Sequence, residues 1–215
     1  MMLAAAEQTF WDVYIAGGGL IGYAIIALSI VMLSLAIKYF IEIRRGNMLP
    51  QAVRKQVQQL FTAKQYREAI ELTSHRPDYL SYLVSSSLAE SPHGYPAMER
   101  ALEEASEERT TKMLRSIEWL NVIGNVAPMM GLLGTVSGMI EAFFTIVRKG
   151  GMPNAGDLAQ SIGVALVTTL DGLLVAIPAM AAYAALRNRI DAMSSEGMKV
   201  AQDLISTFRP VRKMP

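Results

Sequence analysis

The sequence predicts an all-α membrane protein, with three transmembrane helices, long helical extensions beyond them and a small helical segment between the first two spans. Three observations predict it. Residues 17–37, 119–140 and 158–186 are apolar runs whose only charge is Asp171. About 20 helical residues rise about 30 Å, enough to cross the hydrocarbon core of a bilayer. The third observation is that no period-2 alternation competes with helical spacing anywhere in the chain.

Composition narrows the function classes. Of 215 residues, 52% are hydrophobic and 18% charged, with a mean hydropathy of +0.27. Soluble domains average about 45–50% apolar and about 25% charged. A formal net charge of +1 gives no strong pull toward nucleic acid. With no cysteine there is no disulfide framework, thiolate metal site or cysteine nucleophile. His75 and His93 lie far apart in soluble-looking sequence, without ligand spacing, and read as surface histidines. No metal and no cofactor is expected. Gly17–Gly19 lacks the Lys-Ser/Thr that would follow in a phosphate loop. With no nucleophile–base pair either, the chain does not read as an enzyme.

The elements follow in order. Residues 1–16 form a short N-terminus with Glu7 and Asp12 and no Lys or Arg. That is the wrong charge for a secretory signal, so the first apolar run is expected to be retained. Residues 17–40 are the first span, closed by Lys38, Tyr39 and then Arg44 and Arg45. Within 41–118, Val53, Val57, Leu60 and Phe61 and then Tyr66, Ala69 and Ile70 keep helical spacing behind Pro50. A shorter helix is expected over Tyr79–Leu88. Pro96 opens a longer one with no Gly or Pro until Gly124, its acidic early part reading as a solvated face. Residues 119–147 are the second span, where Pro128 is tolerated because neighbouring helices resatisfy the carbonyl it frees. Residues 148–157, RKGGMPNAGD, have the punctuation of a turn, so spans two and three (158–186) form an antiparallel hairpin. Residues 187–215 continue as a C-terminal helix and tail.

Orientation follows from the basic residues. Arg148 and Lys149 fall in the hairpin loop and none precedes span one. Of the remaining 18 of the 20, Lys38 closes the inner end of span one and the others lie between spans one and two or after span three. The positive-inside rule then places the N-terminus and the loop outside, with the middle segment and C-terminus in the cytoplasm.

Spans two and three carry small-residue stripes. Gly131, Gly134 and Gly138 recur every three or four residues, with Thr135 and Ser137 among them; span three offers Ser161, Ala165, Thr168, Thr169, Gly172 and Ala176. Such stripes let another backbone approach closely, and their hydroxyls also fit the lining of a narrow pathway. Asp171 adds a carboxylate at mid-span, which costs about 2.5–3.5 kcal/mol on insertion scales and marks a functional candidate. A structural hydrogen bond to a neighbouring helix is the alternative. Asp171 shares a helix face with Thr168 and Val164 rather than with Thr169. Glu141 lies at the outer end of span two.

Ala127–Phe143, APMMGLLGTVSGMIEAF, resembles the second span of the ExbB and TolQ family, with its GLxGTVxG run. Ser161–Met180, SIGVALVTTLDGLLVAIPAM, resembles their third, with its ALxxTxxGLxxAIPA pattern. The related MotA type has four spans, so this three-span chain sits nearer ExbB and TolQ. The resemblance implies a homopentamer whose spans two and three line a pore around single-span ExbD- or TolR-like partner helices. Protons would be the coupling ion, in a bacterial inner membrane. It also implies energy transduction to an envelope or outer-membrane process, such as TonB-dependent import with a TonB-like protein. Thr135 and Thr169 match the family's pore-facing threonines, and Thr168 and Asp171 adjoin that path. Gly131, Gly134, Gly138, Gly172 and Pro178 would serve helix packing. Many members have a Glu five residues before the span-three threonine, where this chain has Val164. Two other readings use the same faces: a membrane scaffold, or an autonomous ion channel.

Overall fold

The computed structural model describes residues 19–151 and 154–209. In chain order its helices are α1 (Gly19–Glu42), α2 (Arg45–Met48), α3 (Gln51–Thr62), α4 (Tyr66–Ser74), α5 (Tyr79–Ala89), α6 (Tyr95–Arg148) and α7 (Ala155–Ile205). Short 3-10 turns occupy Ser91–His93 and Ser206–Phe208. Among the described residues there is no strand, and α1, α6 and α7 are each long and apolar enough to cross a membrane. The all-α membrane class read from the sequence is the class found. Residues 1–18, Met152, Pro153 and residues 210–215 lie outside the described part. They take with them the expected N-terminal stretch, the first two positions of span one and the end of the tail.

Pro128 and Pro178 both sit inside unbroken helices, as they can where adjoining helices accommodate the lost amide. Helix α7 starts at Ala155, inside the stretch expected to be loop. Residues 50–73 divide into α3 and α4, and the divide has a local cause. Lys64 takes a left-handed φ of 59°, with Gln65 N donating to Leu60 O at 2.9 Å and Lys64 N to Phe61 O at 3.1 Å. This is a helix-ending motif that ordinarily uses glycine. It folds Tyr66 back to within 6.0 Å of the Phe61 ring, and Phe208 closes the cluster at 5.3 and 4.8 Å from the two.

The contacts divide the chain into two compact units. One comprises the described residues to Ile37 together with Glu118–Ala184; the other comprises Lys38–Ile117 and the described residues from Ala185. Helices α1, α6 and α7 each contribute a stretch to both.

The second unit has an apolar core built around α5, whose Leu80, Leu83, Val84 and Leu88 are fully buried. Val53 and Val57 of α3, Met98 and Leu102 of α6, and Ile190 and Ile205 of α7 are buried with them. Polar groups inside it are satisfied, as burial demands. Asp78 caps α5, its carboxylate accepting from Ser81 N and Oγ at 2.9 Å each. Ser87 Oγ donates to Met98 O at 3.0 Å, and Thr110 Oγ1 to Ser194 Oγ at 3.0 Å. On the surface, Tyr82 donates to Glu108 at 2.7 Å, and the Arg109 guanidinium lies 4.0 Å from its ring centre.

The first unit is organised differently. Small or medium residues are buried between its helices, among them Ile25 of α1, Ala127 and Ala142 of α6, and Ala165, Ala176 and Ala179 of α7. Large apolar side chains stay exposed, for example Phe143 at 62% and Leu166 at 64%. In water so much exposed apolar surface would drive association. Against acyl chains it is the natural outer surface of a span.

Candidate functional site: the α6–α7 seam

Within the first unit, α6 and α7 lie against each other so closely that several positions have no room for a side chain. At Gly124 a Cβ would have to displace the flexible Met180 side chain, meeting its Cγ and Sδ at 2.6 Å, and the other positions yield less. One on Gly131 would meet Thr169 Cα at 2.9 Å and Thr168 O at 3.0 Å. At Gly134 it would strike the Thr168 side chain, and at Gly138 the Ala165 Cβ at 2.7 Å. From the other helix, a Cβ on Gly172 would meet Ala127 O at 2.6 Å and Gly131 Cα at 3.1 Å. As the contact position rises along α6 from 124 to 138, its partner falls along α7 from 180 to 165. The pair is an antiparallel hairpin in a single register. Its steps of three, four and seven residues on α6 follow from the 3.6-residue turn. Pro178, assigned with the packing residues, is exposed on α7.

The hydroxyls lie at or beside this seam. Thr169 Oγ1 crosses it, donating to Gly131 O at 2.9 Å. Thr168, 2% exposed, turns its hydroxyl to Ala165 O of its own helix at 2.8 Å. Neither bond uses the oxygen's accepting capacity, so both can still take a hydrogen bond. Thr135 is half-buried and donates to Leu132 O at 2.7 Å, within α6. Asp171 is half-buried, and its carboxylate makes no hydrogen bond or ion pair among the described residues. The structure thus joins Thr168, Thr169 and all four glycines expected from the sequence, together with Gly124, in one seam, with Thr135 and Asp171 outside those contacts.

Beside the seam is a cavity of about 460 Å³, bordered by Gly134 and Gly138 and by Ser137, Glu141, Ser161 and Thr168. Val164 also lines it. Glu141, read from sequence only as an interfacial acid, thus shares a cavity with the position that lacks one, and it pairs with Arg148 at 3.3 Å. Its signal in the sequence was spacing: Glu141 stands three and four residues after Gly138 and Ser137, on one helix face. Among the described residues no cluster of His, Cys, Asp and Glu could hold a metal ion.

The sequence pattern of the MotA/TolQ/ExbB proton channel family matches residues 50–198, a stretch that contains the whole seam. The chain belongs to the MotA/TolQ/ExbB proton channel family. Among similar proteins, the biopolymer transport protein exbB1 of Vibrio cholerae is 40% identical over 75 residues, 35% of this chain and 33% of that protein. The biopolymer transport protein ExbB of Neisseria gonorrhoeae is 43% identical over 82 residues, 38% of this chain and 37% of its own. An ExbB homolog of Methanothermobacter thermautotrophicus is 33% identical over 124 residues, 58% of this chain and 43% of its own. The matched stretches therefore cover between 33% and 43% of these relatives' lengths.

Proposed function

We propose that this chain is the channel subunit of a proton-motive-force-driven motor in a bacterial inner membrane, with the N-terminus outside and the C-terminus cytoplasmic. Several copies, five on the family pattern, surround single-span ExbD- or TolR-like helices. Protons pass between subunit and partner and toggle a partner carboxylate. The work goes to an envelope or outer-membrane process, TonB-dependent import through a TonB-like protein being the foremost example. One unit charge crossing 100 mV releases about 2.3 kcal/mol, enough to redistribute states that differ by a few kcal/mol.

The observation that carries this reading is the α6–α7 seam of a proton channel family member: hydroxyls of Thr168 and Thr169 with spare accepting capacity, on the helix that also carries Asp171 at mid-span, whose carboxylate has no partner among the described residues. The exposed apolar faces of Phe143 and Leu166 suit contact with lipid or further copies. The test is proton flux in liposomes carrying this chain with its ExbD-like partner, driven by an imposed potential. Thr169→Val should abolish coupled flux while the assembled complex still purifies intact. Undiminished flux in that variant would remove Thr169 from the path.

A second reading is favoured by Asp171 specifically. An autonomous channel needs its own titrating group within the bilayer, and Asp171 is the mid-span acid. Flux without any partner, lost in Asp171→Asn, would support the autonomous channel over the motor. A scaffold predicts no flux in either preparation.

A further inference from the structure

The second unit contains a cavity of about 580 Å³, within the range of small-molecule sites. Its cationic lining is Arg76, Arg109 and Lys112, and its apolar lining includes Tyr39, Ile43 and Met113. Among the described residues none of these three cations forms an ion pair. The Arg109 guanidinium is flanked by the Tyr82 ring instead. Two acids also border the cavity. These are Glu42 and Asp78, the latter accepting from Ser81 with both carboxylate oxygens, so three cations against two carboxylates leave the lining with a formal excess of one positive charge. The site therefore favours an anion.

Its place in the sequence says what kind. Tyr39 directly follows Lys38, the first charge after the uncharged run of α1, while Lys112 and Met113 shortly precede Trp119, where the apolar run of α6 begins. If α1 and α6 cross the bilayer, this stretch lies at headgroup level, where aromatic and basic residues accumulate. Guanidinium groups match phosphate oxygens in geometry as well as charge, and basic pockets at the cytoplasmic ends of spans take anionic headgroups.

We propose that this cavity binds the headgroup of an acidic phospholipid, with its phosphate on Arg76, Arg109 and Lys112 and its glycerol and first methylenes against Tyr39, Ile43 and Met113. The proposal rests on α1 and α6 crossing the membrane and is independent of the proton pathway, so each can fail without the other.

The experiment uses the full chain, purified in its assembled state in uncharged detergent. Phosphatidylglycerol, phosphatidylcholine or inorganic phosphate is added, and lipid retention is read by native mass spectrometry and stability by thermal melting. The wild type should retain phosphatidylglycerol over phosphatidylcholine and melt higher with it. Preference should fall about fivefold for each cation removed and vanish in the triple variant Arg76→Gln, Arg109→Gln, Lys112→Gln. A charge-matched control, Lys55→Gln, Lys64→Gln, Arg67→Gln, should keep it. Arg76 and Lys112 are exposed, so their single variants leave the core untouched and carry the test should the triple variant fold poorly. Equal retention of both lipids by the wild type, or undiminished preference in the variants, would overturn the proposal. Variant-sensitive stabilisation by inorganic phosphate alone, with nothing added by phosphatidylglycerol, would overturn the lipid assignment.

Discussion

Thr169 makes one hydrogen bond across the seam, and its size separates structure from function. Interhelical bonds in membranes average about 0.6 kcal/mol. Thr169→Val should therefore scarcely move the melting temperature of the purified protein, even though the proposed mechanism requires it to stop coupled flux. Lys64 offers the opposite kind of test. Its left-handed backbone costs a non-glycine residue about 1–2 kcal/mol, so Lys64→Gly should raise stability by up to about 1 kcal/mol, read by denaturant melting. Tyr82 supplies a pH dependence. Its phenol titrates above the usual value of 10.0, chiefly because Glu108 accepts its proton in a hydrogen bond, with burial adding to the effect and Arg109 opposing it. A phenol raised on folding contributes stability that is fully present below its unfolded value and is lost as pH climbs through the folded one. Ultraviolet titration of Tyr82→Phe against the wild type should show the missing phenol as the late-titrating one, and the variant should lose less stability above pH 10.

At the scale of elements, α5 anchors the second unit. Leu83 is fully buried there, as is Leu102 of α6, and truncating such residues removes both transfer energy and packing. Leu83→Ala or Leu102→Ala should each cost about 2–5 kcal/mol, visible as early unfolding of that unit in hydrogen exchange. Much of the element plan could be read in advance, because uncharged runs of about 20 residues have few other uses and Gly or Pro punctuates the turns. The division at Lys64 could not, since a lysine in a glycine conformation leaves no compositional trace. The seam was half legible. Spacing put Gly131, Gly134 and Gly138 on one face, but nothing in one helix says which partner residue meets each glycine. Nor could sequence show Thr168 turned back to its own helix at Ala165, because a hydroxyl's choice of acceptor depends on how closely the second backbone approaches. Glu141 was visible as an acid, yet its cavity exists only once α7 brings Ser161 and Val164 beside it.

For the whole molecule, the absence of cysteine makes topology directly measurable. Asn154→Cys and Lys55→Cys both introduce a thiol at an exposed position. The proposed orientation expects a membrane-impermeant maleimide to label Asn154→Cys in intact spheroplasts, and Lys55→Cys only after lysis. The reverse pattern would invert the proposed topology. The two units also differ in what they need from their surroundings. The second buries its large apolar residues internally, whereas the first leaves Phe143 and Leu166 outward. Removing detergent should therefore aggregate the chain through the spans before the core around α5 melts.

The hairpin register has a genetic consequence. Where a glycine faces a side chain, shaving that side chain can make room again. An alanine at Gly134 collides with Thr168 and one at Gly138 mainly with Ala165, so Ala165→Gly is expected as an intragenic suppressor of the second defect. Thr168→Gly should instead restore assembly to the first without restoring flux, because it removes a hydroxyl of the proposed pathway. Gly124 faces the flexible end of Met180 and should tolerate alanine with no suppressor at all. Gly131 and Gly172 face main-chain atoms, which no substitution elsewhere in the chain can remove. Their alanine variants should yield no second-site revertants within this gene.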